Sequence, residues 1–228
     1  SACLVGSEMC IRDSYYDNAS DYAKGIADEF KREYKGKIVT EATFASGDKD
    51  YQSALTKFKD LDYDAIVMPG YYTETGIITK QARDLGIDKP ILGPDGFSDA
   101  KFTELAGKKN ASNVYYVSGY STNVALSDKA SGFIEAYKKA YKTEPNMFAA
   151  LAYDSVYMIA EASKDAKTSV DIADNLAHLK NFVGVTGKMT IDKDHNPIKA
   201  ALMVKRDNGD CLLYTSPSPR DRQKSRMP

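Results

Sequence analysis

The chain has 228 residues, 43% of them hydrophobic, and a formal net charge of -1. That is enough chain for one large domain or two lobes, and a charge near zero lacks the electrostatic footprint of a nucleic-acid binder. No apolar run approaches the roughly 18 residues that read as a membrane span. No signal peptide is visible, so an exported protein would have lost its N-terminus.

In chain order, residues 1–14 (SACLVGSEMCIRDS) come first, and their composition differs from that of the body of the chain. Together with residues 211–228 they hold all three cysteines (Cys3, Cys10, Cys211) and four of seven arginines (Arg12, Arg220, Arg222, Arg226). The body, 15–210, has three arginines against 23 lysines. Both ends look like translated sequencing-adapter read-through, although the basic stretch from Ser216 onward also has the composition of a disordered extension. They are set aside as non-native tails.

The body begins as strand–helix units. Tyr22, Ile26, Phe30 and Tyr34 recur every four residues beside Ala23 and Ala27, which predicts an amphipathic helix. Lys37–Ala42 reads as a short β-branched strand. A helix over Tyr51–Phe58 and a buried parallel strand over Asp64–Met68 come next. Thr73–Leu85 is a helix stopped by Gly86. Pro90–Gly93 is a strand, Asp99–Ala106 a short helix and Asn113–Val117 a strand. Alternation of this kind predicts a doubly wound parallel sheet. After Tyr120 the chain turns helix-rich. Helices are expected around Phe133–Tyr141, over Met147–Ser163 and over Thr168–Lys180, the last opened by Thr168 and Asp171 at capping-box spacing. Two β runs, Gly187–Asp192 and Lys199–Arg206, flank the turn Lys193–Pro197. These helices need a sheet to cover, and the strands for one are too few, which suggests a missing N-terminal segment.

Ligands of open parallel sheets bind beyond the carboxyl ends of the strands. Three such ends are legible: 15–22 (YYDNASDY), 69–76 (PGYYTETG) and 93–97 (GPDGF). They offer Tyr22, Tyr71, Tyr72, Asp95 and Phe97, with glycines that let backbone approach a ligand closely. Aromatic walls and one carboxylate suit a small molecule with an ammonium and an apolar side chain. Strand-end tyrosines also pack sheet rims, and Asp95 in Gly-Pro-Asp-Gly is equally good turn chemistry.

At these same loops the sequence resembles the branched-chain amino-acid-binding proteins, the periplasmic leucine/isoleucine/valine-binding type. YDNASDYAKGIADEF, DAIVMPGYYTETGIITKQARDLGI and ILGPDGF resemble the second lobe of that family. EPNMFAALAYDSVYMIAEA is similar to a first-lobe helix, and NFVGVTGKMTIDKDHNPIKAALMVK to the closing segment. The likeness runs through essentially all of 15–210 in order. It implies an α/β, two-lobed type I periplasmic-binding-protein fold with an incomplete first lobe: 15–119 in lobe 2, 120–198 in lobe 1, and 199–210 returning to lobe 2.

Carried over residue by residue, Tyr22 and Tyr71 match aromatic pocket residues, and Asp95 matches the acidic group holding the ligand's α-ammonium. A member of that family has glutamate there, one methylene longer. Phe148 matches a side-chain contact from the first lobe. The segment that binds the α-carboxylate, and most of the first strand of lobe 2, are missing from the match. The resemblance implies a carrier and not an enzyme, without cofactor. It would be an extracytoplasmic solute-binding protein, periplasmic or a lipoprotein, presenting a branched-chain or similar hydrophobic amino acid to the permease of an ABC transporter. A sensor domain of a regulator or receptor uses the same fold and is the alternative.

Other chemistries are poorly supported. His178 and His195 have no spacing that lets them share a metal. Residues 184–189 (GVTGKM) lack the spacer and the hydroxyl residue of a phosphate loop. Residues 192–197 (DKDHNP) start like a calcium loop but carry Pro197 in place of the glycine, so a plain turn is expected. No nucleophile elbow or dinucleotide fingerprint occurs.

Overall fold

Strand–helix alternation governs the first half of this computed structural model, which describes residues 11–213. The elements there are β1 (Ile11–Asp17), α1 (Asp21–Glu33), β2 (Ala42–Phe44), α2 (Gln52–Lys59), β3 (Ala65–Val67), α3 (Tyr72–Asp84), β4 (Ile91–Gly93), α4 (Lys101–Ala106) and β5 (Val114–Ser118). Then come α5 (Lys129–Tyr141), α6 (Met147–Ala162), α7 (Ser169–Ala177), β6 (Phe182–Gly184), β7 (Gly187–Ile191), β8 (Pro197–Lys199), β9 (Leu202–Asp207) and β10 (Asp210–Leu213). The chain separates into two compact units, one running to Val117 and resuming at Met203, the other Ser118–Leu202.

The first unit is built on a seven-stranded sheet of order β10-β9-β5-β4-β3-β1-β2. β1 pairs in parallel with both β2 and β3, and β3, β4 and β5 continue in parallel. β9 and β10 pair antiparallel at the other edge of the sheet. Its core holds Leu55, Ile66, Met68, Ile78, Ile91, Phe102 and Val114, all fully buried. Tyr15 meets Phe44, Tyr51 and Phe58 edge-on, with ring centroids 5.2, 6.4 and 5.2 Å apart. Edge-to-face contact matches the ring quadrupoles and packs α2 against β1 and β2.

Three details depart from the sequence expectations. The strand expected at Lys37–Ala42 lies at Ala42–Phe44, because the residues that pair with β1 are Ala42, Thr43 and Phe44. In α1 the fully buried face is Ala23 and Ala27, while Tyr22, Ile26 and Phe30 are half-buried beside it. Small residues there let the helix lie close to the sheet. Finally, β1 includes residues 11–14 and β10 includes 211–213, both inside the segments set aside as tails. Backbone pairing along a sheet edge or ladder is indifferent to most side chains, so extended residues of either origin fit it.

The second unit combines α5, α6 and α7 with an antiparallel sheet of order β6-β7-β8. β6 has no counterpart among the expected strands, and β8 meets the expected Lys199–Arg206 run only at Lys199. Tyr120, Phe133, Met147, Ala150 and Val185 form its core. Asp154, on α6 and 2% exposed, accepts the Val185 and Thr186 N–H groups at 2.7 and 2.8 Å and the Thr186 hydroxyl at 2.6 Å. One carboxylate thus ties α6 to the β6–β7 turn. The other side of α6 is open: Val156, Tyr157 and Ile159 are 65%, 52% and 51% exposed. An apolar groove of about 970 Å³ runs between α5, α6 and β6.

Candidate functional site

The order β2-β1-β3-β4-β5 reverses between β1 and β3, so the helices after these two strands leave on opposite faces. In sheets of this kind a ligand crevice is expected at that switch point, beyond the strand ends. Three loops border it.

After β1, the Asn18 N–H reaches the Phe44 carbonyl at 3.2 Å, and Asp17 Oδ1 accepts the Ala19 N–H at 2.9 Å. Ser20 caps α1 by accepting from the Ala23 N–H at 3.3 Å. This tight Asp-to-Ser turn places Tyr22 in the first turn of α1. After β3, Pro69 and Gly70 lead to Tyr71, the N-cap of α3. The Tyr71 carbonyl accepts from the buried Thr75 hydroxyl at 2.8 Å, which fixes the loop from within the helix. After β4, Asp95–Phe97 form a single 3-10 turn closed by Phe97 N–H to Pro94 and Ser98 N–H to Asp95, at 3.2 and 3.0 Å.

Three of the four residues anticipated for the site converge here. Tyr22 donates its hydroxyl proton to Asp95 Oδ1. The Gly96 N–H donates to the same tyrosine oxygen at 3.0 Å. Tyr71 stacks on Tyr22 with ring centroids 4.7 Å apart and planes 23° apart. Burial first, then the bond to Asp95, drives the Tyr22 phenol far above its usual range. The hydroxyl therefore remains protonated and acts as a fixed donor. Tyr22 and Asp95 are half-buried and Tyr71 is exposed. The result is a stacked aromatic pair with a carboxylate at its edge.

Phe148, the fourth, lies in the second unit, half-buried against the Tyr120–Phe133 cluster in the first turn of α6. Gly96 carries more weight than the sequence suggests. A Cβ there would stand 2.5 Å from the Gly70 carbonyl oxygen. This glycine serves the approach of two loops to each other. Its signal in the sequence is only that a second glycine comes directly after Pro-Asp.

The remaining candidates resolve into structure. His178 ends α7, its Nδ1 2.8 Å from the Asp174 carbonyl, and His195 sits at φ +64 in the β7–β8 turn. Asp192 Oδ1 accepts the Asp194 and Asn196 N–H groups at 2.9 and 2.8 Å, which makes 192–197 a hairpin turn. Among the described residues no cluster of three His, Cys, Asp or Glu is placed to hold a metal ion.

Comparison with known proteins gives a consistent result. The model of a family described as periplasmic binding protein matches residues 7–210. The chain is 54% identical to LivJ of Streptococcus pneumoniae, the substrate-binding protein of a branched-chain amino-acid transporter, solved with isoleucine. The TM-score is 0.81, over 88% of this chain and 57% of that one. The leucine-binding protein LivK of Thermotoga maritima is 28% identical with a TM-score of 0.85, over 93% of this chain and 61% of that one. A leucine-, isoleucine-, valine-, threonine- and alanine-binding protein of Pseudomonas aeruginosa is 26% identical over 148 residues, 64% of this chain and 39% of its own length. The chain spans less than two thirds of each of these relatives.

Proposed function

The chain belongs to the periplasmic binding protein family, and on that premise we propose that it is the ammonium-gripping part of an extracytoplasmic solute-binding protein for a branched-chain or similar hydrophobic amino acid. One observation carries the reading: the Asp95 carboxylate, in the loop after β4, stands at the edge of the Tyr22–Tyr71 stack. Tyr22 engages Oδ1, and Oδ2 makes no hydrogen bond among the described residues. An α-ammonium donates to Oδ2 while the neighbouring ring faces attract its charge. Tyr22, held protonated, cannot repel Asp95 by becoming a second anion, and it orients the carboxylate instead.

Ligand binding strips water from the ammonium, so its partner must supply compensating charge. The loaded protein would hand its amino acid to the permease of an ABC importer. A location outside the cytoplasm, free or lipid-anchored, fits the family.

Removing one member of a buried charge pair costs on the order of 3–5 kcal/mol. At about 1.4 kcal/mol per decade, Asp95→Ala weakens isoleucine binding by roughly two to three and a half orders of magnitude. Asp95→Asn keeps the shape without the charge and loses most of the affinity as well. Calorimetry on the full-length protein tests this. Near-wild-type affinity in both variants would make Asp95 an ordinary turn residue.

A further inference from the structure

β9 turns Leu202, Val204 and Arg206 inward in strict alternation. A core strand gives such positions to apolar side chains, yet Arg206 is 2% exposed and the largest fully buried side chain among the described residues. Its guanidinium donates to Thr103 Oγ1 at 2.8 Å and, through Nη2, to the carbonyls of Phe97 and Asp99 at 2.7 and 2.9 Å. It lies over the rings of Phe102 and Tyr116, 5.3 and 5.1 Å from their centroids. Nε is buried with no partner among the described residues. No carboxylate pairs with this cation among the described residues.

A buried charge without a counter-ion is an expensive way to fill a core position, since an apolar side chain of similar volume would pack there without that cost. What the guanidinium offers is a rigid, planar fork that grips two carbonyls of one loop at once. The loop it grips is the one carrying Asp95: Phe97 ends the 3-10 turn that Asp95 begins. Tyr22 engages the same turn at the Asp95 carboxylate and the Gly96 N–H.

We propose that Arg206 is a positioning residue for Asp95, clamping the Phe97 and Asp99 carbonyls from β9 so that the carboxylate is held in place against Tyr22 before any ligand arrives. The inference rests on the ligand role proposed for Asp95. Pre-set geometry lowers the ordering cost of binding, so a loosened turn loses affinity without losing the carboxylate itself.

The test compares Arg206→Lys and Arg206→Met with Leu55→Ala, a core change in α2 that also lowers thermal stability. It reads the Gly96 amide and Asp95 carboxyl-carbon resonances and the affinity for isoleucine, all in the full-length protein. Expected are displaced Gly96 and Asp95 signals and at least a tenfold weaker affinity in both Arg206 variants, with neither change in Leu55→Ala. Arg206→Lys alone decides the matter if Arg206→Met does not fold. Unchanged signals and affinity in folded Arg206→Lys would overturn the proposal, as would equal changes in Leu55→Ala. If the wild-type protein does not bind isoleucine, the functional reading falls, and the two resonances still decide whether Arg206 sets the Asp95 turn.

Discussion

Gly96 sits where the Asp95 turn and the Gly70 loop come closest, and it does so at an ordinary backbone conformation. Its lack of a side chain is therefore a matter of space alone. In Gly96→Ala the new methyl would stand 2.5 Å from a backbone oxygen, which cannot swing aside as a long side chain would. The two loops must part by several tenths of an ångström or more. The Gly96 N–H then leaves the Tyr22 hydroxyl, and that hydroxyl leaves Asp95. Overpacking of this kind costs about 1–3 kcal/mol of stability, and the same displacement should reduce isoleucine affinity by tenfold or more. Titration of the purified variant measures both effects. A Gly96→Ala protein with lowered stability and full affinity would mean that the approach of these loops does not govern the site.

At the scale of elements, legibility tracked the length and covering of each segment. α1, α3 and α6 run 13, 13 and 16 residues, long enough for a clear helical period. The Thr168–Asp171 capping box is also present as its spacing predicts, each side chain meeting the other's backbone. β6 and β8 are barely legible because three residues carry no period, and Val183 and Ile198 are exposed. Of the candidate site, Tyr71 and Asp95 are legible at the ends of the strands expected at Asp64–Met68 and Pro90–Gly93, whereas Tyr22 comes after β1, half of which lies in a segment set aside as a tail, and is marked by the family resemblance. The signal for Arg206 is a lone arginine at an inward position of an alternating strand in a lysine-rich chain. The Asp154 tie was illegible for a different reason: its partners are backbone groups 31 and 32 residues away. Asp154→Ala would leave both N–H groups buried without an acceptor, at about 1–3 kcal/mol each. Exchange of the Val185 and Thr186 amides should speed up at least tenfold, while Ser155→Ala, on the exposed side of α6, should leave it unchanged. Unaltered exchange in Asp154→Ala would show that the turn holds without this carboxylate.

Across the whole molecule, the buried tyrosines couple the fold to alkaline pH. Burial is the leading cause of raised phenol pKa values at Tyr15, Tyr22, Tyr51 and Tyr116 in the first unit, and at Tyr120 in the second. Tyr51 and Tyr120 are pushed up to about 12, and the other three lie higher. Unfolded, each titrates near its ordinary value of about 10. Below that pH both states keep the proton and the contribution to stability is complete. Above it the unfolded chain releases protons that the folded chain retains, so stability falls by up to about 1.4 kcal/mol per pH unit for each such tyrosine. The loss continues until the folded values are reached. Exposed lysine–carboxylate pairs also weaken as lysines lose their charge, but such pairs contribute little and occur in both units, so they do not distinguish the two. Four of the five tyrosines belong to the first unit, which should therefore open first. A phenolate absorbance titration should show a steep step coincident with loss of circular dichroism. Fluorescent labels placed one in each unit should report the first unit opening at lower pH than the second. A single smooth titration with no cooperative step, or the second unit opening first, would contradict the assignment of this alkaline limit to Tyr15, Tyr22, Tyr51 and Tyr116.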